Sequence, residues 1–226
     1  MGTLLLIRHG RTPANVQGIL AGRTEGVQLD EVGVESATAL GLRMNTLNVA
    51  HVVVSPLERT VQTGNLVFTN GVQITNEPGL LECDYGNWQG RSLAELALEP
   101  EWKIVQEKPE EMVFPNGESM QAMSDRAVKS IRDWDTKLTQ AHGEPVIWAA
   151  VSHGDIIKAI CADALGISLR NFQRILVDPA SVSVIHYGEN GVSVSKLNDT
   201  GESWITKLGE KSVAPTLGGQ SGKEQD

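Results

Sequence analysis

The stretch that decides the fold is LLLIRHGRTP, residues 4–13. Its first four residues form an unbroken apolar run, which is typical of a strand buried on both faces of a parallel sheet. Thr12 and Pro13 predict the cap and the first position of a short helix that ends near Gly18. A buried strand leading directly into a helix is the repeating unit of α/β folds.

The same order of strand and helix recurs further along the chain. Apolar runs at residues 52–54 and 146–151 predict two more buried strands. Apolar residues at helical spacing predict helices at about 30–47 and 119–141, and another that begins at Gly154. Strands that alternate with helices favour a mainly parallel sheet covered by helices.

The last two features complete the predicted architecture. Residues 55–59, SPLER, predict a capping box, with Pro56 as the first position of a helix through Phe68. Residues 181–187 and 192–197 flank a GENG turn and predict an antiparallel hairpin. The expected fold is therefore a three-layer α/β sandwich with a mainly parallel central sheet, helices on both faces and a C-terminal antiparallel hairpin.

Length and composition limit the other possibilities. The 226 residues fit one domain, which we place at 1–207 with a covering insertion at about 91–118, followed by a flexible tail at 208–226. The net charge of −9 makes nucleic acid and anionic membranes unexpected partners. Two isolated cysteines, and no signal-like or transmembrane-length apolar run, predict a cytoplasmic protein. The sequence leaves a homodimer open.

Side chains that can bind phosphate follow the ends of the three predicted strands. Arg8 and His9 follow the first strand, Arg59 follows the second, and His153 follows the third. Because the carboxyl ends of parallel strands gather at one edge of a sheet, these side chains are expected to converge. Two guanidinium groups, with backbone amides at helix starts such as Gly154, match the oxygens of a phosphate monoester.

The residue types also predict a division of catalytic roles. His9 is the expected nucleophile, through a neutral ring nitrogen, and His153 is the expected charged donor to the phosphoryl oxygens. Glu82 is expected to protonate the leaving oxygen, with Asp84 as the reserve. A phosphate dianion nearby should raise the pKa of that carboxyl group, because like charge disfavours its ionised form.

Metal and cofactor chemistry are not expected. His9, Glu82 and His153 could suggest a metal site, but the sequence has neither paired histidines one helical turn apart with an acid nor an aspartate-rich loop. The glycines near the first strand also lack the spacing of a nucleotide-binding loop. The predicted reaction therefore uses no metal and no cofactor.

Five segments in order resemble the histidine phosphatase superfamily, which includes the cofactor-dependent phosphoglycerate mutases. They comprise LIRHGRT with Asn15, SPLERT with QT, ECDYG with WQG, FPNGES, and SHG, and the resemblance covers about residues 4–187. The resemblance implies a phosphoglycerate mutase-like fold, with His9 as the phosphorylated residue. It also implies that Arg8, Arg59 and His153 surround the phosphoryl group and that Glu82 donates the proton.

The resemblance adds expectations that the residues alone do not provide. It implies that Asn15 and the backbone near Gly22 contact the phosphate, and Arg23 is expected to reach the rest of the substrate. The sequence is also similar to an actinobacterial branch of phosphatases and phosphomutases, through residues 22–26 and 178–182.

The superfamily contains both phosphatases and mutases, so the fold alone cannot choose between them. Residues 91–112 carry three basic residues and six glutamates, a net charge of −3, which disfavours retention of a doubly anionic mutase substrate. The expected function is therefore hydrolysis of a small phosphate monoester through a phosphohistidine intermediate. The alternatives are phosphotransfer of the phosphoglycerate mutase type and an inactive module that binds phosphorylated ligands.

Overall fold

The computed structural model describes residues 2–143, 145–202 and 217–218. Its sheet contains the strands β1 (Gly2–Arg8), β2 (Val52–Val54), β3 (Ile74–Asn76), β4 (Val146–Ser152), β5 (Val182–Gly188) and β6 (Gly191–Asp199). Their spatial order is β3-β2-β4-β1-β5-β6. The first four of these are parallel, whereas β5 pairs antiparallel with both β1 and β6. The mainly parallel sheet with a C-terminal hairpin is thus confirmed.

Seven α-helices in the described residues surround this sheet. They are α1 (Pro13–Val16), α2 (Glu31–Met44), α3 (Glu58–Val67), α4 (Leu93–Leu96), α5 (Trp102–Glu107), α6 (Met120–His142) and α7 (Gly154–Ala164). Short 3-10 helices lie at Pro78–Leu80, Gly86–Trp88, Pro109–Glu111 and Leu169–Arg174. No helix within the described ranges is long and apolar enough to cross a bilayer.

The apolar run of β1 explains the three layers. Leu4 and Leu6 point into one hydrophobic core, which they share with α6 and α7. Leu5 and Ile7 point into a second core on the other face, shared with α2 and α3. Because successive strand residues face opposite sides, an unbroken apolar run can bury both faces of the sheet at once. β1 is therefore buried on both faces, as the sequence predicts.

The capping box expected at Ser55 is wrong. Ser55 N donates to Val151 O at 2.9 Å, so the chain is still extended there as a continuation of β2. α3 begins at Glu58, and Leu57 is its N-cap residue without a side-chain hydrogen bond. Pro56 consequently lies in the loop rather than in the first helical position.

β3 is a strand that the sequence analysis missed. Ile74–Asn76 pairs parallel with β2 at the edge of the sheet, where its side chains are only partly buried or exposed. An edge strand needs no unbroken apolar run, so the pattern that identifies central strands is absent from it.

Two residues of the expected tail contact the rest of the domain. Within the expected tail the structure describes Leu217, which is fully buried, and Gly218. Gly218 N donates to Asp155 Oδ2 at 2.9 Å, and Arg8 Nη2 donates to Gly218 O at 3.2 Å. The other residues of 208–226 lie outside the described residues. The domain limits, including the covering insertion, stay predictions.

Candidate active site

The carboxyl ends of β1 and β4 lie side by side and bring two histidines together. His9 N donates to Ser152 O at 3.0 Å, which extends the pairing of the two strands by one residue. The ring centroids of His9 and His153 are 5.3 Å apart. The loops after two parallel strands therefore meet at one edge of the sheet, as the sequence predicts.

His9 is held in one tautomer by its own loop. Its Nδ1 lies 2.7 Å from Gly10 O, and a carbonyl oxygen only accepts, so Nδ1 carries the proton. Burial, and then the charges of Arg59 and Arg8, lower the pKa of His9 well below its usual value. The ring is therefore neutral near pH 7 and its Nε2 carries a lone pair, which is the nucleophilic form.

Gly10 allows the close approach that fixes this loop. A Cβ at Gly10 would lie 2.6 Å from the backbone oxygen of Gly33, closer than carbon and oxygen can pack. Gly10 N donates to Thr63 Oγ1 at 3.0 Å, and the Thr63 hydroxyl donates to Arg59 O at 2.7 Å. These contacts connect the loop after β1 to α2 and α3.

Three buried nitrogen atoms near His9 have no hydrogen-bond partner among the described residues: Arg8 Nε, Arg59 Nη1 and His153 Nδ1. Other atoms of both guanidinium groups are fixed, since Arg8 Nη1 donates to Val177 O and Arg59 Nη2 donates to Gly22 O, each at 2.7 Å. A buried polar atom without a partner costs about 1–3 kcal/mol. An anion bound by these atoms would remove that cost.

The pKa values of the two arginines leave the site cationic. Burial is the main cause of the lowered pKa of both groups, and the pKa of Arg8 falls to about 10. Glu82 opposes this effect on each of them. Arg8, with a pKa of about 10, remains protonated near neutral pH. Arginine keeps its charge in proteins generally, so both guanidinium groups can attract a phosphate dianion.

His153 differs from the expected charged donor. Burial lowers its pKa well below the usual value, and the positive charges of Arg59 and Arg8 lower it further, so the ring is neutral near pH 7. Its Nε2 lies 2.8 Å from Ser55 Oγ. A neutral ring with the proton on Nδ1 can accept from the Ser55 hydroxyl and still donate to an anion.

Glu82 lines one pocket together with His9 and Arg59, and its pKa is raised to about 7. The first cause is burial, since the residue is only 3% exposed, and the second is the nearby charge of Asp155. The expected direction of the shift is present without any contribution from a phosphate. Asp84, the reserve acid, is partly exposed and accepts from Gly86 N at 3.1 Å, away from the pocket lining.

The sequence analysis missed the residue that holds the Glu82 loop. Arg126 of α6 donates to Gly79 O, Leu81 O and Glu82 O over 2.7–3.1 Å, and it also binds Glu118. The FPNGES segment contains Glu118, but nothing in the pattern of α6 distinguishes Arg126 from its other polar residues.

Arg23 belongs to the same network. Its Nε donates to Glu82 O at 2.8 Å, and its Nη2 donates to Glu118 Oε1 at 2.9 Å. Arg23 therefore lies beside the Glu82 loop. Its expected contact with the rest of the substrate stays a prediction.

Asp155 lies in the first turn of α7, and the sequence analysis assigns it no role. It is fully buried, and its Oδ2 accepts from Tyr85 OH at 2.7 Å as well as from Gly218 N. Lys158 Nζ lies 3.4 Å from its Oδ1. The negative charge of Asp155 lies close enough to Glu82 to disfavour its ionised form, and this raises the pKa of Glu82.

The remaining expected site residues fall into two groups. Asn15 and Gly22 line the pocket, and Asn15 Oδ1 also accepts from Thr12 N and Thr12 Oγ1 at 3.0 and 2.9 Å. Arg8, His153 and Gly154 are buried and lie outside the lining itself. Among the described residues, no three histidine, cysteine or acidic side chains are grouped so that they could hold a metal ion.

Comparisons with known proteins agree with this geometry. A family model described as "Histidine phosphatase superfamily (branch 1)" matches residues 4–200. "Probable phosphoglycerate mutase GpmB" from Enterobacter sp. (strain 638) is 30% identical over 188 residues, which cover 82% of this chain and 85% of the relative.

Solved structures share the fold. Bacillus stearothermophilus YhfR superposes with a TM-score of 0.78 at 24% identity, over 88% of this chain and 98% of the other. The alpha-ribazole phosphatase from Shigella flexneri gives a TM-score of 0.74 at 27% identity, over 88% and 96%. Since the family model covers most of the chain, including all three strand-end loops, the chain belongs to the histidine phosphatase superfamily.

Proposed function

We propose that this chain hydrolyses a small phosphate monoester through a phosphohistidine intermediate on His9. The observation that carries the proposal is the placement of a neutral His9, with its proton on Nδ1, beside the partnerless buried nitrogens of Arg8, Arg59 and His153. A phosphoryl group bound in the pocket would accept from Arg59, which lines it together with His9, and would present phosphorus to His9 Nε2. The proposal further requires that this group reach the buried nitrogens of Arg8 and His153 behind the lining. Cationic groups fixed before the substrate arrives also stabilise the charge that develops during transfer.

The reaction has two steps, transfer of the phosphoryl group to His9 and hydrolysis of the phosphohistidine. In the first, the His9 Nε2 lone pair forms a bond to phosphorus while the ester P–O bond breaks, and protonated Glu82 gives its proton to the leaving oxygen. In the second, a water oxygen attacks phosphorus, Glu82 takes the water proton, and the P–N bond breaks. Inorganic phosphate leaves, and both residues return to their starting states.

A mutase is the second candidate function, because the relatives include proteins named phosphoglycerate mutase. A mutase must hold a doubly anionic substrate while it returns the phosphoryl group. The net charge of −3 on residues 91–112, and the name of the alpha-ribazole phosphatase neighbour, favour hydrolysis instead.

An assay of phosphate release, with and without a bisphosphorylated primer, distinguishes the candidates. The two substrates are 4-nitrophenyl phosphate and 3-phosphoglycerate. We expect phosphate to be released from at least the aryl ester, at a rate that does not depend on the primer. Primer-dependent isomerisation of phosphoglycerate without free phosphate would instead identify a mutase. No release from either ester, with retained binding of inorganic phosphate, would identify the inactive module.

Arg59 provides a direct test of the anion pocket. The substitution Arg59→Gln removes a buried charge and its fixed donor, so kcat/KM should fall by about 10²–10³-fold, measured with 4-nitrophenyl phosphate. Inorganic phosphate should also become a weaker competitive inhibitor. The matched control is Arg43→Gln, because Arg43 pairs with Asp199 at the surface. Equal kcat/KM for the two variants would contradict the assignment of Arg59.

A further inference from the structure

The pocket beside His9 is lined both by polar groups and by aliphatic side chains. The polar groups include those that would bind and transfer the phosphoryl group, namely His9, Thr12, Asn15, Arg59 and Glu82. The aliphatic side chains, which we call the apolar wall, come from three separate parts of the sequence: Ala14, Ile19, Leu20, Leu93 and Leu217. Leu20 and Leu217 are buried, whereas Ala14, Ile19 and Leu93 keep part of their surface exposed. The leaving group of a monoester whose phosphate is bound by the polar groups would contact the exposed part of this wall.

Backbone hydrogen bonds hold the apolar wall in place. Leu20 N donates to Arg91 O at 2.9 Å, and Leu93 N donates to Gly18 O at 2.8 Å, so α4 is joined to the loop after α1. The hydrogen bonds of Gly218 to Arg8 and Asp155 fix the position of Leu217. The apolar wall is thus built into the site.

The arginines of the surrounding loops are each already paired with a carboxylate. The pairs are Arg11 with Asp30 at 2.8 Å, Arg23 with Glu118 at 2.9 Å, and Arg91 with Glu99 at 2.6 Å. A carboxylate on a substrate would have to compete with these partners. It would also approach a segment of net negative charge, residues 91–112.

We propose that this site selects phosphate monoesters whose leaving group is uncharged and largely apolar, bound by the apolar wall. The inference rests on the proposed phosphatase function and names its substrate class. A carboxylate placed against Ile19 and Leu93, which are only partly buried, would lose hydration without gaining a partner, whereas an alkyl or aryl group would be removed from water with a favourable free energy.

A matched pair of substrates tests this selection. n-Butyl phosphate and 4-(phosphonooxy)butanoate have the same chain length and release similar primary alcohols, but only the second carries a carboxylate. We expect kcat/KM to be roughly tenfold or more higher for the butyl ester, since burial of an unpaired charge is costly. Comparable values, or a preference for the carboxylate, would overturn the inference.

A charge introduced into the apolar wall should change the preference. Leu93 is only partly buried, so Leu93→Lys can fold, and its ammonium group should reduce the ratio of kcat/KM for butyl over carboxylate ester by roughly tenfold. Leu98→Lys is the matched control, because Leu98 is 86% exposed just beyond α4. An equal change in both variants would contradict a local effect of the apolar wall.

Binding separates this inference from the proposed function. Butylphosphonate and 4-phosphonobutanoate are not hydrolysed, so their affinities for the full chain can be measured by calorimetry whether or not the protein turns over esters. Tighter binding of butylphosphonate supports the apolar leaving-group site. Equal or tighter binding of the carboxylate ligand overturns it, even where phosphate release from 4-nitrophenyl phosphate upholds the phosphatase function.

Discussion

His9→Asn is expected to reduce phosphate release from 4-nitrophenyl phosphate by about 10⁴-fold or more, because it removes the nitrogen that forms the covalent bond to phosphorus. Asparagine has nearly the size of histidine, so Gly10 and Thr63 can keep the loop after β1 in place. The direct measurement is rapid quenching after mixing with radiolabelled substrate. Wild-type protein should carry label that is stable in base and released by acid, and the variant should carry none.

The matched control for this experiment is His142→Gln. His142 is exposed at the end of α6, so its replacement should leave both the label and the rate unchanged. Label of equal amount on His9→Asn would show that another residue is phosphorylated. Turnover of wild-type protein without any label, under conditions that trap other phosphohistidines, would instead indicate direct attack by water.

Glu82→Gln is expected to have the next largest effect, and the effect should depend on the leaving group. An alkoxide needs the proton that Glu82 supplies, so kcat/KM for an alkyl phosphate should fall by about 10³-fold. 4-Nitrophenolate leaves without that help, so the first step should be much less affected. The second step still lacks its base, and phosphohistidine should therefore accumulate as a burst of 4-nitrophenolate.

The pH dependence follows from the same carboxyl group. Its pKa is raised to about 7 by burial and by Asp155, so the free enzyme holds the catalytic proton below about pH 7 and loses it above. For an alkyl phosphate, kcat/KM should therefore decrease as the pH rises through about 7. This decrease should be absent in Glu82→Gln, whose amide does not titrate.

Asp84→Asn is the control for both measurements, since Asp84 is partly exposed and lies outside the pocket lining. Its kcat/KM for alkyl phosphate should remain within about threefold of wild type. A loss as large as that of Glu82→Gln would assign the proton donor to Asp84, which the sequence alone leaves as the reserve.

The candidate site could be predicted as far as its elements are local in sequence. Arg8, His9 and His153 stand directly after apolar runs, and a strand end is recognisable within a few residues. The direction of the pKa shift of Glu82 was also predicted, although its expected cause was a bound phosphate. In the structure the cause is burial, which is a property of the whole fold.

The sequence by itself determined the mainly parallel sheet, the strands β1, β2 and β4 with the C-terminal hairpin, and the loops that carry the phosphate-binding residues, because periodicity and strand-to-helix transitions are encoded locally. Only the tertiary structure decided which distant groups meet. Ser55 bonds to His153 rather than capping a helix, Arg126 holds the Glu82 loop, and Leu217 enters the pocket. Contacts between residues far apart in sequence depend on how complete elements pack, and no local pattern records that packing.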